Sequence, residues 1–374
     1  MKKIEFKKIR EKIKDYCPLP ARILILIGLA AGIVNLILIN SVAFSDFLSD
    51  HVSYIIRLIL AKLTNWFPMS FAELLLMLSP LILALLIVLI FKISEKEVRY
   101  SWRFAFSMIA VGCFAYSVFV FGFAPGYYGT VLTDKLEVKR EKVSAEQLYE
   151  TALFLVGQCD EVSDEVDFSY GSSSVMPYSL DEMNGRLNDA YAKAAEKYGF
   201  FHNFRSDVKY VVMSEWMSYT HITGVYTFFT GEANINVVFP DYTLPYTAAH
   251  ELSHQRGISR EEEANFMAYL VCMESDDPYI RYSGAFNLLE YVLNALYSAD
   301  ASLYSEIWYG MDIRYRYEMR AYNEFFEKYR ENVAADVSEA VNDHYLESHG
   351  QTEGTRSYGL VVDLAVAYLL PDKE

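Results

Sequence analysis

The residues with the clearest chemistry are His250-Glu251-Leu252-Ser253-His254. Two histidines four apart on a helix present both imidazoles on one face, where they can share a metal ion. Glu251 follows the first histidine, within reach of a water beside that ion, and can take its proton. The order therefore contains two ligands and a general base. Gly257, three residues past His254, is a helix stop, so the chain can turn there. Ser259 and Glu262 are spaced as a capping box, which predicts a new helix with Ser259 at its N-cap and Glu262 facing solvent. Glu261 shares a face with Ala264, Asn265 and Ala268, a face small enough to approach the histidine helix closely. Glu263 shares its face with Phe266, Met267 and Leu270, which reads as core. Glu261 is thus the expected third ligand and Glu263 the second choice. Asn265, one turn on, is placed to hold a ligand histidine by its free ring N–H. A His/His/Glu set suits zinc.

Around these residues, Ala145 to Leu155 and Leu180 to Tyr198 have helical spacing. Lys209 to Met213 reads as a strand, and Val225–Thr230 and Ala233–Phe239 as two strands joined at Gly231-Glu232. From Pro245 onward the pattern is helical. The expected class is α+β: a mostly helical domain with a small β-sheet.

That domain does not begin at the N-terminus. The first 124 residues of 374 hold 14 Lys/Arg and 8 Asp/Glu, whereas the whole chain is at −16, so the two parts differ in sign. Such asymmetry marks two environments. Three apolar runs, about residues 23–44, 71–91 and 104–123, are long enough to cross a bilayer. Only Glu73 is ionisable within them, which argues against a transport path. The division expected is a basic leader over 1–22, a three-helix anchor over 23–123 and a second domain over 124–374. Lysines and arginines crowd the leader (Lys2 to Lys14) and the loop with Lys92, Lys96, Arg99 and Arg103. Those segments belong in the cytoplasm and the acidic domain outside it. Val52 to Trp66 reads as a helix lying at the interface, with Ile55, Ile56, Leu58, Ile59 and Leu63 on one side and Arg57 and Lys62 off it, or else as a simple connector. The net negative charge excludes a generic nucleic-acid binder. Four cysteines exclude a disulfide scaffold, and Cys159 and Cys272 read as buried thiols.

His250-Glu251-x-x-His254 followed by Glu261-x-x-Ala264-Asn265 resembles the gluzincin pattern of zinc metallopeptidases, with Asn265 where Asp is usual. Three N-terminal spans, Phe229-Thr230-Gly231-Glu232-Ala233-Asn234, Pro245-Tyr246-Thr247-x-x-His250-Glu251 and Gln351-x-x-Gly354-x-x-Ser357-Tyr358-Gly359 resemble a family of bacterial membrane proteins, domain of unknown function 3810, grouped with zincin-like peptidases. The resemblance implies a zincin-like fold, Zn2+ on His250, His254 and Glu261, and Glu251 as base. It also implies that the strand Phe228 to Val238 lies at the sheet edge beside the metal helix and pairs with an extended substrate. A second donor for the oxyanion is expected, with Tyr358 preferred over His349 and His344. The function implied is a membrane-anchored zinc metallopeptidase acting on an extracytoplasmic protein or peptide. The competing reading is a non-catalytic metal-binding sensor or scaffold, which has no use for Glu251.

Overall fold

The computed structural model describes residues 14–168, 171–330, 332–348 and 358–370. Most of the leader and the Gln351-to-Ser357 stretch lie outside the described residues. The three apolar runs are helices: α1 Leu19–Asn40, α3 Phe71–Ser94 and α4 Val98–Gly122, of 22, 24 and 25 residues. Between the first two lies α2, Tyr54–Asn65. At 1.5 Å per residue the shortest span is about 33 Å long, enough for the roughly 30 Å hydrocarbon core. The first span starts and ends four residues before its expected bounds. Ser41 turns to extended backbone (φ −147) and its hydroxyl accepts from Phe44 N at 3.3 Å, so the next residues start a new short helix, Val42–Leu48. The third span begins at Val98, taking Arg99 and Arg103 into its first turns.

Two compact units divide the chain. One holds the residues up to Ile56, Phe71–Gly129 and Phe228–Thr230. In it, α1 packs along α4, closest at Gly28, where a Cβ would stand 2.5 Å from that of Cys113. Side chains of α3 such as Leu81, Leu83, Leu85 and Phe91 are exposed, as a lipid-facing helix requires.

The other unit holds Arg57–Ser70, Thr130–Thr227 and the chain from Gly231 on. The loop between the first two spans therefore contributes to the unit that carries the histidines. Lys209 Nζ, buried, bonds Glu232 Oε1 (2.8 Å), Thr64 O (2.5 Å) and Met69 O (3.3 Å). Lys62 Nζ donates to Arg205 O at 2.9 Å and Asn65 Nδ2 to Asp207 Oδ2 at 3.1 Å. The Thr64 carbonyl, at the C-terminal end of α2, thus accepts from Lys209 as well as from Phe67 N at 3.0 Å.

The remaining long helices are α5 Ala145–Ser163, α6 Leu180–Tyr198, α7 Leu244–Gln255, α8 Glu261–Met273, α9 Pro278–Ala299, α10 Ala301–Gly310, α11 Ile313–Glu327, α12 Val333–Ser348 and α13 Tyr358–Leu369. Reciprocal capping boxes start α5 (Ser144, Gln147) and α6 (Ser179, Glu182). α6 keeps its expected bounds because Gly199, at φ 67, ends it. α5 runs on to Ser163, past the expected end, because Leu155, Cys159 and Val162 continue its buried stripe. In the core, α9 packs along α5 and also meets α7, α8 and α13.

The sheet has three short strands: β1 Lys209–Tyr210, β2 Gly224–Thr227 and β3 Glu232–Ile235, in the order β1-β3-β2. β3 is parallel to β1 and antiparallel to β2. The expected hairpin exists, but its strands are shorter. Gly231, at φ 72, donates its N–H to Thr227 O at 2.7 Å and closes the turn early.

Candidate metal centre

α7 begins with Pro245 in its first turn, where no N–H is needed. Ser283 of α9 fixes that start: its Oγ accepts from Tyr246 N at 3.1 Å and donates to Tyr242 O at 2.5 Å. Tyr191 of α6 buttresses the middle, its hydroxyl bonding Ala249 O at 2.5 Å and meeting Ser253 Oγ at 2.8 Å. The helix thus presents His250 and His254 from a fixed rod, their rings 4.6 Å apart and nearly perpendicular.

The turn after α7 orients one of these rings. Gly257 N donates to His254 O (3.0 Å) and Ile258 N to Ser253 O (3.1 Å), the paired bonds of a Schellman motif with Gly257 at φ 101. The reversal brings the Ile258 carbonyl back to the helix, where it accepts from His254 Nδ1 at 2.7 Å. With Nδ1 engaged, Nε2 is the nitrogen of that ring that faces His250 and Glu261. Asn265 does not take this role: its backbone carbonyl accepts from Tyr246 Oη at 2.9 Å, while His250 Nδ1 is buried without a partner among the described residues.

α8 starts one residue later than the capping-box spacing predicts. Arg260 occupies the N-cap position without a side-chain cap, and Glu262 is buried rather than facing solvent. The register still aims Glu261 at the histidines. Its oxygens stand 3.3 Å from His250 Nε2 and 3.5 Å from His254 Nε2, and the two Nε2 atoms are 3.0 Å apart. Glu263 points elsewhere, accepting from Leu132 N at 2.8 Å and Arg260 Nη1 at 2.9 Å.

These distances test the fit of a metal. Zinc–nitrogen bonds of about 2.0–2.1 Å in a tetrahedron set ligand-to-ligand edges of roughly 3.3 Å. The edges here, 3.0, 3.3 and 3.5 Å, bracket that value. The two Nε2 atoms face each other at 3.0 Å, close enough to share a proton or to bind one cation between them. The donor set therefore fits a divalent ion. Without an ion, the three groups balance charge among themselves. Burial opposes a charge on Glu261, but His254 and His250 outweigh it and hold the carboxyl well below its usual range. Burial likewise opposes a charge on His254, and Glu261 outweighs that, bringing the imidazole up to about 9.

Glu251 lies beside this pocket, 4% exposed. Burial pushes its carboxyl up to about 7 against the pull of both histidines. The backbone N–H of Tyr226 in β2 donates to it. Gly224, at the start of β2, leaves the space it fills: a Cβ there would stand 2.6 Å from Glu251 Oε1. Neither contact has a motif, so the sequence reading missed both. The strand order also corrects one expectation. β3, within the Phe228-to-Val238 stretch, is central, with neighbours on both sides, so the edge beside the base is β2.

Of the proposed oxyanion donors, the side chain of Tyr358 and all of His349 lie outside the described residues. His344 is exposed on α12, which packs on the Ser218–Thr220 turn.

The sequence family described as "Protein of unknown function (DUF3810)" matches residues 49–366, from before α2 into α13. No curated protein and no solved structure matches the chain.

Proposed function

We propose that this chain, which belongs to the DUF3810 family, is a membrane-anchored zinc metallopeptidase hydrolysing an extracytoplasmic protein or peptide. One observation carries the reading: two imidazole nitrogens and a carboxylate converge at 3.0–3.5 Å, with a second, buried carboxylate next to them. His250, His254 and Glu261 would hold the ion. Bound there, zinc would supply a Lewis acid for the scissile carbonyl and lower the pKa of a water towards neutrality. Glu251 takes the proton as water attacks and returns it to the leaving amine. Its burial raises its basicity for the first transfer.

β2 supports substrate. Asn236 N bonds Thr223 O at 2.8 Å, so the alternation of an antiparallel pair turns the backbone groups of Gly224 and Tyr226 away from β3. An extended peptide added on that side would run past Glu251.

The makeup of the second unit supports the proposed membrane side. Three spans put the segment before the second and the chain after the third on one side, and the unit joins Arg57–Ser70 to Thr130 onward. Lys92, Lys96, Arg99 and Arg103 fall on the other side, which the positive-inside rule makes cytoplasmic.

The test uses the full chain in detergent, because a fragment from residue 125 would lack Arg57–Ser70. Wild type should carry about one equivalent of zinc, and His250→Ala almost none. Glu251→Gln should keep the metal and lose cleavage of a peptide pool by about 10²- to 10⁴-fold. Equal metal in wild type and His250→Ala would remove the site. Metal-loaded wild type that cleaves nothing would leave the sensor reading.

A further inference from the structure

We propose that the exposed apolar face of α2 and the residues following it lies in the headgroup layer of the bilayer. It thereby holds the metal pocket at the membrane surface, where it acts on polypeptide segments close to lipid. The substrate clause rests on the hydrolase reading; the placement does not.

α2 packs the opposite way from a helix on a soluble protein. Arg57 and Ala61 are 3% and 1% exposed, whereas Ile59 and Leu63 are 51% and 61% exposed. Beyond the helix, Trp66, Phe67 and Met69 continue the apolar surface at 75%, 39% and 44% exposed. A helix that turns isoleucine and leucine outward needs an apolar covering.

Chain continuity identifies the covering. Ser70 is followed directly by Phe71, the first residue of a membrane-crossing helix. At no more than about 3.6 Å per residue, Trp66 lies within about 18 Å of that first residue. α3 is about 36 Å long, so its start lies at or near the headgroups. Tryptophan and amphipathic helices both favour that layer.

The buried face of α2 meets the pocket's frame. Arg57 Nη2 lies 3.4 Å from Arg256 O, and a Cβ on Gly257 would stand 2.5 Å from it. Gly257 belongs to the turn that aims His254. A Cβ on Gly231, in the turn between β2 and β3, would stand 2.5 Å from Leu60 Cβ and 3.0 Å from Ala61 N. The frame of the metal centre is therefore about one helix diameter, roughly 10 Å, from the exposed face.

The test is made on the full chain in phosphatidylcholine–phosphatidylglycerol liposomes. Spin labels on Ile59→Cys and Leu63→Cys are compared with Val341→Cys on α12, which is 64% exposed. Labels at 59 and 63 should collide several-fold more with dissolved oxygen than with an aqueous nickel chelate, and the label at 341 the reverse. Nickel access at 59 and 63 equal to that at 341 would overturn the placement. So would spin–spin broadening at 59 or 63, which would mean that a second copy covers the face. For the substrate clause, a peptide cleaved by wild type is offered with and without an N-terminal myristoyl chain. Leu63→Asp should slow cleavage of the acylated form about tenfold, spare the free form and keep the metal. Equal rates on both forms in wild type would overturn the clause. If wild type cleaves neither form while nickel is excluded at 59 and 63, the hydrolase reading and its substrate clause fail and the placement stands.

Discussion

Two groups of partly or fully buried carboxylates occupy the same unit and have opposite partners. In one, Glu261 faces His250 and His254 and is held well below the usual carboxylate range. In the other, Glu318 is fully buried and accepts from Ser174 N (3.1 Å) and Tyr282 Oη (3.2 Å), while half-buried Glu290 accepts from Tyr242 Oη (3.2 Å). Burial pushes Glu318 up to about 7 and Glu290 up to about 8. Hydroxyl and amide donors soften the cost of an ionised carboxylate without cancelling it; imidazoles can carry the balancing charge or share a cation with it. Burial of an acid alone is therefore no sign of a metal site in this fold. The candidate site is where imidazole nitrogens and carboxylate oxygens converge, and among the described residues His250, His254 and Glu261 form a group that could hold an ion.

The largest expected effect separates the two groups directly. Glu261→Ala should lose the metal, as His250→Ala should, because it removes a proposed ligand and leaves two nitrogens. Glu318→Ala should keep the metal and lower stability. Glu263→Ala should also keep it, since its carboxylate serves Leu132 N and Arg260; the unpaired amide would cost about 1–3 kcal/mol. Elemental analysis and thermal unfolding of the three variants check this. Metal lost from Glu263→Ala and kept by Glu261→Ala would reverse the ligand assignment.

A smaller effect is expected at Gly224. Alanine there would displace the Glu251 carboxylate, since its Cγ, Cδ and Oε1 all lie within 2.9 Å of the new Cβ. The ligands are untouched, so the metal should stay. A base moved by about 1 Å can cost on the order of 10²-fold in rate, expressed in kcat. Unchanged kcat with raised KM would mean that Gly224 shapes substrate binding instead.

The two groups also differ in how far the sequence announced them. His250, His254 and Glu261 were legible because helical spacing converts directly into shared faces. The start of α8 was misplaced by one residue because the Schellman turn at Gly257 reached Ile258, and Ser259 stayed outside the helix, fully buried. The edge role of β2 was not legible: β1 joins the far side of β3 from 23 residues upstream, and such pairing leaves no local pattern. The N–H of Tyr226 on Glu251 is a backbone group, which any residue but proline supplies. Glu318 and Glu290 lay unremarked in helices of ordinary amphipathic spacing.

The smallest effect is the pH dependence that Glu318 contributes in the second group. Glu318 has an ordinary value near 4.5 when unfolded and about 7 when folded. Between those values the unfolded chain binds fewer protons than the folded one, so stability falls as pH rises and levels off above about 7. At 1.36 kcal/mol per unit this amounts to at most about 3 kcal/mol, or several degrees in Tm. Glu318→Gln keeps the acceptor for Ser174 and Tyr282 and removes the titration. Its Tm should lie below wild type at pH 5 and gain on it steadily towards pH 8. The metal state is fixed by excess chelator throughout, so the histidines contribute equally to both proteins. Parallel Tm curves from pH 5 to pH 8 would mean that Glu318 is solvated or charge-paired when folded, and the contrast between the two groups would reduce to burial alone.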